Sequence, residues 1–407
     1  MYIYKTAVVG AGAMGAEIAQ AISFSGIPVL LKDVDQDRVD QGMSTIRKIY
    51  QRRVDRGKMT QDEMEKKMTL VTGVVTYEGF RDADLIIEAV PERLALKEQI
   101  FRELDGLVQA SAILASNTSS LSISALGGVT KRPHQVIGMH FFYPAHIMKL
   151  VEVIPGVETA EETVSDIIGF AESLRKLPVR VNECPGFLVN RILMPYLNEA
   201  AYCVQEGAAS PRQIEETMVN FGFPMGPFTL VDNLGFDVCR EVVNVLQDAY
   251  GSRMQPAVIW ERLYGLKRYG VKAGAGFFLY GDRAGHPDPE IEAIIAELRK
   301  RHAAPRECSV NRLVLPMINE AIRCLEEHVC TAADVELSVI AGLGFPTSKG
   351  GILHYADEMG LQAVLAELER YAATCGERFW PSPLLKRKVA AGHLGKQAKK
   401  GFFDYTG

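Results

Sequence analysis

The fold is decided close to the start of the chain, by residues 6–15, which read TAVVGAGAMG. A short apolar run typical of a buried strand leads directly into three glycines spaced G-x-G-x-x-G, and helix-forming residues follow at 17–22. In such a strand–turn–helix unit the first glycine makes the turn and the second lets the backbone approach a pyrophosphate. The third lets the helix and the strand pack closely. Gly10, Gly12 and Gly15 are therefore predicted to bind a dinucleotide.

A carboxylate after the next strand indicates which dinucleotide is bound. The apolar run at 28–32 predicts a strand, and Asp33 follows it directly. A carboxylate at this place accepts hydrogen bonds from the ribose hydroxyls and repels a 2′-phosphate, so NAD is predicted rather than NADP. The alternative, a strand–turn–helix unit that binds no ligand, stays open at this point.

Residues 37–68 interrupt the strand pattern with two helical, highly charged stretches. The first of them carries a group of basic residues: Arg47, Lys48, Arg52, Arg53, Arg56 and Lys58. A run of this kind is commonly a solvated helix face. The other interpretation is that some of these side chains hold the phosphates of a large anionic substrate.

The predicted sheet resumes at 84–90 and 112–116, and the second of these strands runs into a polar loop at 117–121. Ligands of open α/β sheets sit at the carboxyl ends of the strands, which makes Ser119 a candidate for substrate binding. The alternative is that Ser119 or Ser120 caps a short helix beginning near Leu121.

Two further strands bring a histidine and a glutamate into the same region. Residues 138–144 (GMHFFYP) read as a strand ending at His140 with a turn marked by Pro144, and residues 149–154 (KLVEVI) read as a strand carrying Glu152. If the strands are neighbours, the carboxylate fixes the tautomer of the imidazole and leaves its other nitrogen free to accept a proton. A buried structural ion pair is the alternative. A helix at 161–174 and a strand at 178–181 then complete the first domain.

From Cys184 onward the chain reads as helical and repeated. VNRILMPYLNEA at 189–200 has a near copy, VNRLVLPMINEA, at 310–321; GFP at 222–224 and GFF at 276–278 recur at 344–346 and 401–403. Self-similarity of this length indicates a duplicated helical domain. We predict three domains: 1–183 with a helical insertion near 36–68, 184–281, and 300–407, with a polar, proline-rich linker at 281–289. The first copy is interpreted as facing the substrate and the second as its structural partner.

Composition excludes several classes of protein. The 407 residues carry a net charge of -5 with a pI near 6.0, so we expect no nucleic-acid partner and no anionic membrane surface. No apolar run reaches the roughly 20 residues of a membrane-spanning helix, and the start leads straight into a strand without a signal segment. The seven cysteines, all from Cys184 onward, lack metal-ligand spacing. We expect a cytoplasmic protein without a metal site.

Five motifs, in this order, resemble those of the L-3-hydroxyacyl-CoA dehydrogenases: GAGAMG at 10–15, SNTSS at 116–120, HFFYP at 140–144, KLVE at 149–152 and PGFLVNR at 185–191. The resemblance covers the whole chain. It implies an α/β Rossmann-type NAD-binding domain followed by two tandem all-α domains like the C-terminal domain of 6-phosphogluconate dehydrogenase. The duplicated part looks like the dehydrogenase portion of the bacterial multifunctional fatty-acid-oxidation enzymes, without their hydratase/isomerase domain, and it also looks like stand-alone duplicated members of the family.

The resemblance also implies roles for individual residues. Those implied to be catalytic are His140, Glu152, Ser119 and Asn190. Those implied to bind NAD are Gly10, Gly12, Gly15, Asp33, Glu92, Lys97, Asn117, Tyr143 and Lys272. Tyr143 stands where most relatives carry asparagine, and its phenol could replace that contact. Ser119, Asn190 and Arg52 are the residues expected to bind substrate.

The implied reaction is NAD-dependent, reversible oxidation of an L-3-hydroxyacyl-CoA to the 3-ketoacyl-CoA, with an acyl-CoA thioester as the partner molecule. One alternative is an NAD-dependent dehydrogenase of a free hydroxy acid or sugar acid. Another is a catalytically silent NAD-binding structural protein. The second helical copy is expected to give a monomer with an internal pseudo-dimer, and a homodimer is the alternative.

Overall fold

A computed structural model of the protein describes residues 2–281, 285–300 and 307–406. The chain divides into two units, Met1–Phe187 and Leu188–Gly407, and the two helical copies lie together in the second. Part of the predicted linker (282–284) and the first residues of the predicted third domain (301–306) lie outside the described residues. The division into three domains therefore stays a prediction.

The first unit is built on an eight-stranded sheet in the order β3-β2-β1-β4-β5-β6-β7-β8. Neighbouring strands are parallel except for β6 and β7, which are antiparallel. The order 3-2-1-4-5-6 is that of dinucleotide-binding sheets. The strands are β1 Thr6–Val9, β2 Val29–Lys32, β3 Val71–Val74, β4 Leu85–Glu88, β5 Ile113–Ser116, β6 Val136–Phe141, β7 Leu150–Pro155 and β8 Leu177–Arg180.

Helices connect and cover these strands. They are α1 Ala13–Phe24, α2 Gln36–Asp55, α3 Gln61–Met68, α4 Leu94–Leu107, α5 Ile123–Gly128 and α6 Glu161–Ser173. The charged stretch forms α2 and α3, as its pattern indicates. The central strands β1, β4 and β5 are buried at every residue, which explains why they are apolar except for Thr6, Glu88 and Ser116 at their ends.

The structure adds one strand that was not predicted and excludes one alternative that the sequence left open. Strand β3 was not predicted, because it has four residues, includes a glycine and pairs only with β2 at the edge of the sheet. The short helix α5 begins at Ile123 and is capped by Ser122, whose hydroxyl accepts a hydrogen bond from the amide of Ala125. Ser119 and Ser120 therefore do not serve as its N-cap.

The second unit is helical. Its helices are α7 Val189–Gln205, α8 Pro211–Phe221, α9 Pro227–Leu234, α10 Phe236–Tyr250, α11 Val258–Gly265, α12 Pro289–Arg299, α13 Val310–Glu326, α14 Ala332–Leu343, α15 Ile352–Met359, α16 Leu361–Cys375 and α17 Pro383–Ala390. Among the helices of the described residues, none combines the length and the hydrophobicity that crossing a bilayer requires.

The duplicated helices α7 and α13 pack against each other through reciprocal ion pairs. Arg191 on α7 donates from Nε to Glu320 on α13 at 2.8 Å, and Arg312 on α13 donates from Nε to Glu199 on α7 at 2.7 Å. All four side chains are at most 5% exposed. Each copy thus offers the other the same arginine and the same glutamate, which is the contact pattern of a two-fold interface.

A second feature occurs in both copies. A buried aspartate in each copy, Asp232 or Asp357, accepts hydrogen bonds from two successive phenylalanine amides near the end of that copy and from a tyrosine hydroxyl. Burial raises the pKa of Asp232 to about 6. In each copy the GFF motif is therefore hydrogen-bonded to a buried carboxylate, which fixes the last segment of that copy.

Candidate active site

The glycine turn between β1 and α1 is shaped for close approach of a ligand. Gly10 has φ 106°, and a Cβ on Gly15 would lie 1.8 Å from the carbonyl oxygen of Gly10. At Gly12, by contrast, a Cβ would meet nothing within 4 Å, so there is open space in front of the turn. Gly12 is also the N-cap of α1, and it makes no side-chain capping bond. The backbone N–H groups at the start of α1 therefore fit a pyrophosphate.

Asp33 lies beside this turn. Its Oδ2 accepts a hydrogen bond from the amide of Ala11 at 2.7 Å, and its Oδ1 accepts one from the amide of Val34 at 2.7 Å. A cavity of about 360 Å³ opens here, lined by Ala11, Gly12, Asp33, Asp35, Asp37, Arg38 and Gln41. Three carboxylates in its lining disfavour a 2′-phosphate, so the residues present fit NAD.

A buried network that the sequence did not reveal lies between β4 and α4. Lys97, 1% exposed, donates to Glu88 Oε1 at 2.7 Å and to the carbonyl oxygen of Val90 at 3.2 Å, and it lies 3.2 Å from Glu92 Oε2. Ser116 donates to the other oxygen of Glu88 at 2.6 Å. A carboxylate ending an otherwise apolar strand was the available signal for Glu88. The ammonium of Lys97 is therefore engaged by protein groups, and its contact with NAD stays a prediction.

Glu92 joins this network to the predicted substrate loop. It accepts hydrogen bonds from the hydroxyl of Thr118, from the amide of Ser119 at 2.9 Å and from the hydroxyl of Ser119 at 3.3 Å. Burial raises the pKa of Glu92, but the Lys97 charge and these hydrogen bonds outweigh it and hold the pKa below its ordinary value. The carboxylate is therefore ionised near neutral pH and fixes the position of Ser119.

His140 and Glu152 are in contact, as neighbouring strands would allow. They lie opposite each other in the β6–β7 pair, with Nδ1 of the imidazole 2.7 Å from Oε2 of the carboxylate. Glu152 is fully buried and His140 is 7% exposed, with the rings of Phe142 and Phe187 centred 4.5 and 5.9 Å away. With Glu152 ionised, Nδ1 carries the hydrogen and Nε2 is left as the proton acceptor.

Asn117 fixes the end of the histidine strand. Its backbone amide donates to the carbonyl oxygen of Glu88 at 2.8 Å, and its side-chain oxygen accepts from the amide of Phe141, next to His140, at 2.8 Å. Asn117 therefore links β4, the loop after β5 and β6.

A basic cleft lies on the same unit. It has a volume of about 330 Å³, and its basic lining residues are Arg52, Arg53, Arg56, Lys58, His146, Lys149, Arg175 and Lys176. A neighbouring cavity of about 350 Å³ is lined by Arg52, Lys48, Thr45, Glu17 and the loop residues Tyr143, Pro144, His146 and Ile147. The structure thus brings Arg52 and Tyr143 to one cavity, and Tyr143 does not line the acidic cavity at Gly12.

The two remaining predicted residues belong to the second unit. Asn190 is the second residue of α7 and is partly exposed. Lys272 lies in the segment after α11, where its ammonium is 2.6 Å from the carboxylate of Asp237. The roles assigned to both residues stay predictions.

Comparison with known proteins gives the family. A family model for the NAD-binding domain of 3-hydroxyacyl-CoA dehydrogenases matches residues 5–184, and one for their C-terminal domain matches residues 186–280 and again 309–405. The chain belongs to the 3-hydroxyacyl-CoA dehydrogenase family. The predicted family, the Rossmann-type fold with its helical C-terminal part and the NAD cofactor are thereby confirmed, and the double match agrees with the internal duplication.

Similar sequences and structures of this dehydrogenase family cover almost the whole chain. The fatty acid oxidation complex subunit alpha of Psychrobacter arcticus is 37% identical over 400 residues, covering 96% of this chain and 55% of that protein. The glyoxysomal fatty acid beta-oxidation multifunctional protein MFP-a of Brassica napus is 36% identical over 401 residues, with the same coverage of both. This dehydrogenase chain therefore spans about half the length of the curated relatives it matches.

Two solved structures of the family differ in how much of this chain they match. The 3-hydroxybutyryl-CoA dehydrogenase from Escherichia coli K12 has a TM-score of 0.86 at 28% identity, and the match covers 96% of this chain and 99% of that one. The (S)-3-hydroxybutyryl-CoA dehydrogenase from Ralstonia eutropha has a TM-score of 0.67 at 36% identity, covering 69% of this chain and 100% of that one.

Proposed function

We propose that this dehydrogenase oxidises an L-3-hydroxyacyl-CoA to the 3-ketoacyl-CoA with NAD, reversibly. The observation that carries the proposal is the contact between His140 and Glu152, 2.7 Å apart at the end of β6 in an NAD-binding sheet. A histidine held in one tautomer by a buried carboxylate is what removal of a hydroxyl proton requires. The experiment is NAD reduction by L-3-hydroxybutyryl-CoA, which a His140→Ala enzyme is expected to lose.

The proton route follows from the tautomer. Nδ1–H of His140 donates to Glu152, so Nε2 accepts the proton of the C3 hydroxyl, and Glu152 stabilises the imidazolium that forms. A general base of this kind contributes typically about 10²–10⁴-fold to the rate. NAD, when bound at the glycine turn beside Asp33, supplies the acceptor for the hydride from C3.

Substrate orientation is assigned to Ser119 and Asn190. We propose that the hydroxyl of Ser119 holds the C3 oxygen and that the Asn190 amide holds polar atoms of the substrate, a positioning effect on the reacting geometry. The carboxylate of Glu92, which accepts from both the amide and the hydroxyl of Ser119, supports the first of these roles because it restrains that side chain.

The basic cleft is proposed to hold the phosphates of coenzyme A. Arg52 lines both the cleft and the cavity beside Tyr143, and Arg56 stands with it in the cleft. The double substitution Arg52→Gln with Arg56→Gln is expected to raise KM for acetoacetyl-CoA at least tenfold, since hydrogen bonds to charged groups contribute about 1.5–3 kcal/mol each, and to leave KM for NADH unchanged. Arg47→Gln is the matched control, because Arg47 lies on α2 like Arg52 but outside the cleft, where it pairs with Glu65 of α3 at 2.7 Å. An unchanged KM for the thioester would remove coenzyme A from the proposal.

We also propose that the second helical copy serves within one chain as the counterpart of the first, giving a monomer with an internal pseudo-dimer. The reciprocal pairs Arg191–Glu320 and Arg312–Glu199 support this. Light scattering of the purified protein is expected to give the mass of one chain, and a dimer joined through the first copies would contradict it. A cytoplasmic location is proposed on the cysteine pattern and is testable by cell fractionation.

A further inference from the structure

The loop between β6 and β7 joins the two halves of the His140–Glu152 pair. It comprises residues 142–149 and closes in a tight turn, in which the amides of Ile147 and Met148 both donate to the carbonyl oxygen of Pro144 at 2.9 Å. His140 stands one residue before the end of β6 and Glu152 is the third residue of β7, so the loop joins directly to the two strand ends that carry the pair.

A buried lysine spans the loop from outside. Lys176 lies between α6 and β8 and is 8% exposed. Its ammonium donates to the carbonyl oxygens of Ala145 at 2.5 Å and Met148 at 2.8 Å. Burial lowers the pKa of Lys176 to about 8, although the carboxylate of Glu17 acts in the opposite direction.

The same loop is also tied to the helix that follows the glycine turn. His146 Nδ1 lies 3.2 Å from Oε2 of Glu17, which is 5% exposed on α1. The pair is a close contact rather than an aligned hydrogen bond. Glu17 thus faces both His146 and Lys176, and it connects the loop to the element that starts at the pyrophosphate-binding turn.

We propose that Lys176, together with Glu17 and His146, is a positioning residue for the dehydrogenase reaction. Its ammonium holds loop 142–149 so that His140 and Glu152 keep their paired geometry and the loop keeps its place in the wall of the cavity at Arg52. The inference rests on the proposed function and deepens it, because it makes the geometry of the His140–Glu152 pair depend on the charge of a third residue, Lys176.

The charged groups around Lys176 come from every element packed there. They are Glu17 on α1, Arg52 and Arg53 on α2, Arg56 and Lys58 after α2, His146 and Lys149 in the loop, and Arg175 beside Lys176. Burial favours the neutral form of Lys176, and the carboxylate of Glu17 favours the charged form, so burial is the main cause of the lowered pKa. A neutral amine makes weaker hydrogen bonds to the two carbonyl oxygens, roughly half as strong as the charged group makes.

Protonation of Lys176 predicts a pH dependence of the oxidation rate. The rate is expected to fall at alkaline pH, as Lys176 loses its proton near pH 8 and its hold on the two carbonyl oxygens weakens. Initial rates of NAD reduction by L-3-hydroxybutyryl-CoA, at saturating NAD, are therefore expected to decline above about pH 8, which forms the alkaline limb of the profile. Arginine stays protonated throughout this range.

The test compares four enzymes: wild type, Lys176→Arg, Lys176→Gln and the control Lys131→Gln, which removes an exposed lysine before β6. Lys176→Arg is expected to move the alkaline limb up by at least one pH unit. Lys176→Gln is expected to lower kcat by about 10- to 100-fold, since small misplacements of a catalytic group cost this much, with KM for NAD within twofold of wild type. The control is expected to match wild type in kcat and in the alkaline limb.

Three results would overturn the inference: no alkaline limb in the wild type, an unmoved limb in Lys176→Arg, or wild-type kcat in Lys176→Gln. Circular dichroism and thermal unfolding show whether each variant is folded, and if the glutamine variant is not, the wild-type and arginine profiles decide. If the wild type turns over the thioester but the alkaline limb does not move in Lys176→Arg, this inference alone is overturned. If the wild type turns over no hydroxyacyl-CoA, both the proposed function and this inference are overturned.

Discussion

Replacing Glu152 by glutamine tests the base in the most specific way that the structure permits. The side chain keeps its shape, and the buried partner 2.7 Å from His140 loses only its charge. Two unit charges about 4 Å apart attract by about 4 kcal/mol at an effective dielectric constant of about 20. That is close to a thousandfold in rate, because each 1.36 kcal/mol is a factor of ten.

The expected loss in kcat for Glu152→Gln is therefore about 10²–10³-fold, within the range of a general base. If the amide oxygen faces Nδ1, the tautomer is kept and only the stabilisation of the imidazolium is lost. If the amide nitrogen faces it, the hydrogen moves to Nε2 and the base is blocked, so the loss lies at the upper end.

The assay is the initial rate of NADH formation from L-3-hydroxybutyryl-CoA at saturating concentrations of both substrates. Glu158→Gln is the matched control, because Glu158 is an exposed glutamate just after β7. Thermal unfolding of both variants checks that the sheet is intact. A folded Glu152→Gln enzyme with kcat within threefold of wild type would refute the assignment of Glu152.

Two further predictions concern the cofactor and the helical unit. Asp33→Ser is expected to lower the ratio of kcat/KM for NAD over NADP at least tenfold, because the carboxylate that repels a 2′-phosphate is gone; the exposed Asp62→Ser is the control, and an unchanged ratio would contradict the role. Glu199→Gln is expected to lower the free energy of unfolding in urea by about 3 kcal/mol, because it removes a buried carboxylate that pairs with both Arg312 and Arg378 and leaves Arg312 only Glu206 among the described residues. The exposed Glu216→Gln should change it by less than about 0.5 kcal/mol, and equal effects of both would show that the buried pair contributes nothing.

The parts of the fold that the sequence could predict are those written in contiguous residues. The glycine turn, the apolar strands around it and the charged helices each occupy a single stretch, so local pattern was sufficient. His140 and Glu152 were also within reach of this reasoning, because a short turn at Pro144 brings two consecutive strands side by side.

The missed features depend on residues that meet only after folding. Strand β3 is too short to show a period, and its single neighbour is a strand about 40 residues earlier in the chain. Nothing local in the sequence shows that Glu88 and Lys97 pair, because they lie on different elements and are buried against each other only in the folded chain. Lys176 likewise gives no local sign of its contacts with two carbonyl oxygens in a loop between other strands.

The most direct measurement of the central claim is absorbance at the NADH band, with purified protein, NADH and either acetoacetyl-CoA or free acetoacetate. Oxidation of NADH with the thioester, and at least a hundredfold slower oxidation with the free acid, is the predicted result. Equal rates with both would contradict the claim and indicate a dehydrogenase of small hydroxy acids. If NADH binds but is not oxidised with acyl-CoA substrates of any chain length, the claim is also contradicted. The protein would then be an NAD-binding protein of the same fold without this activity.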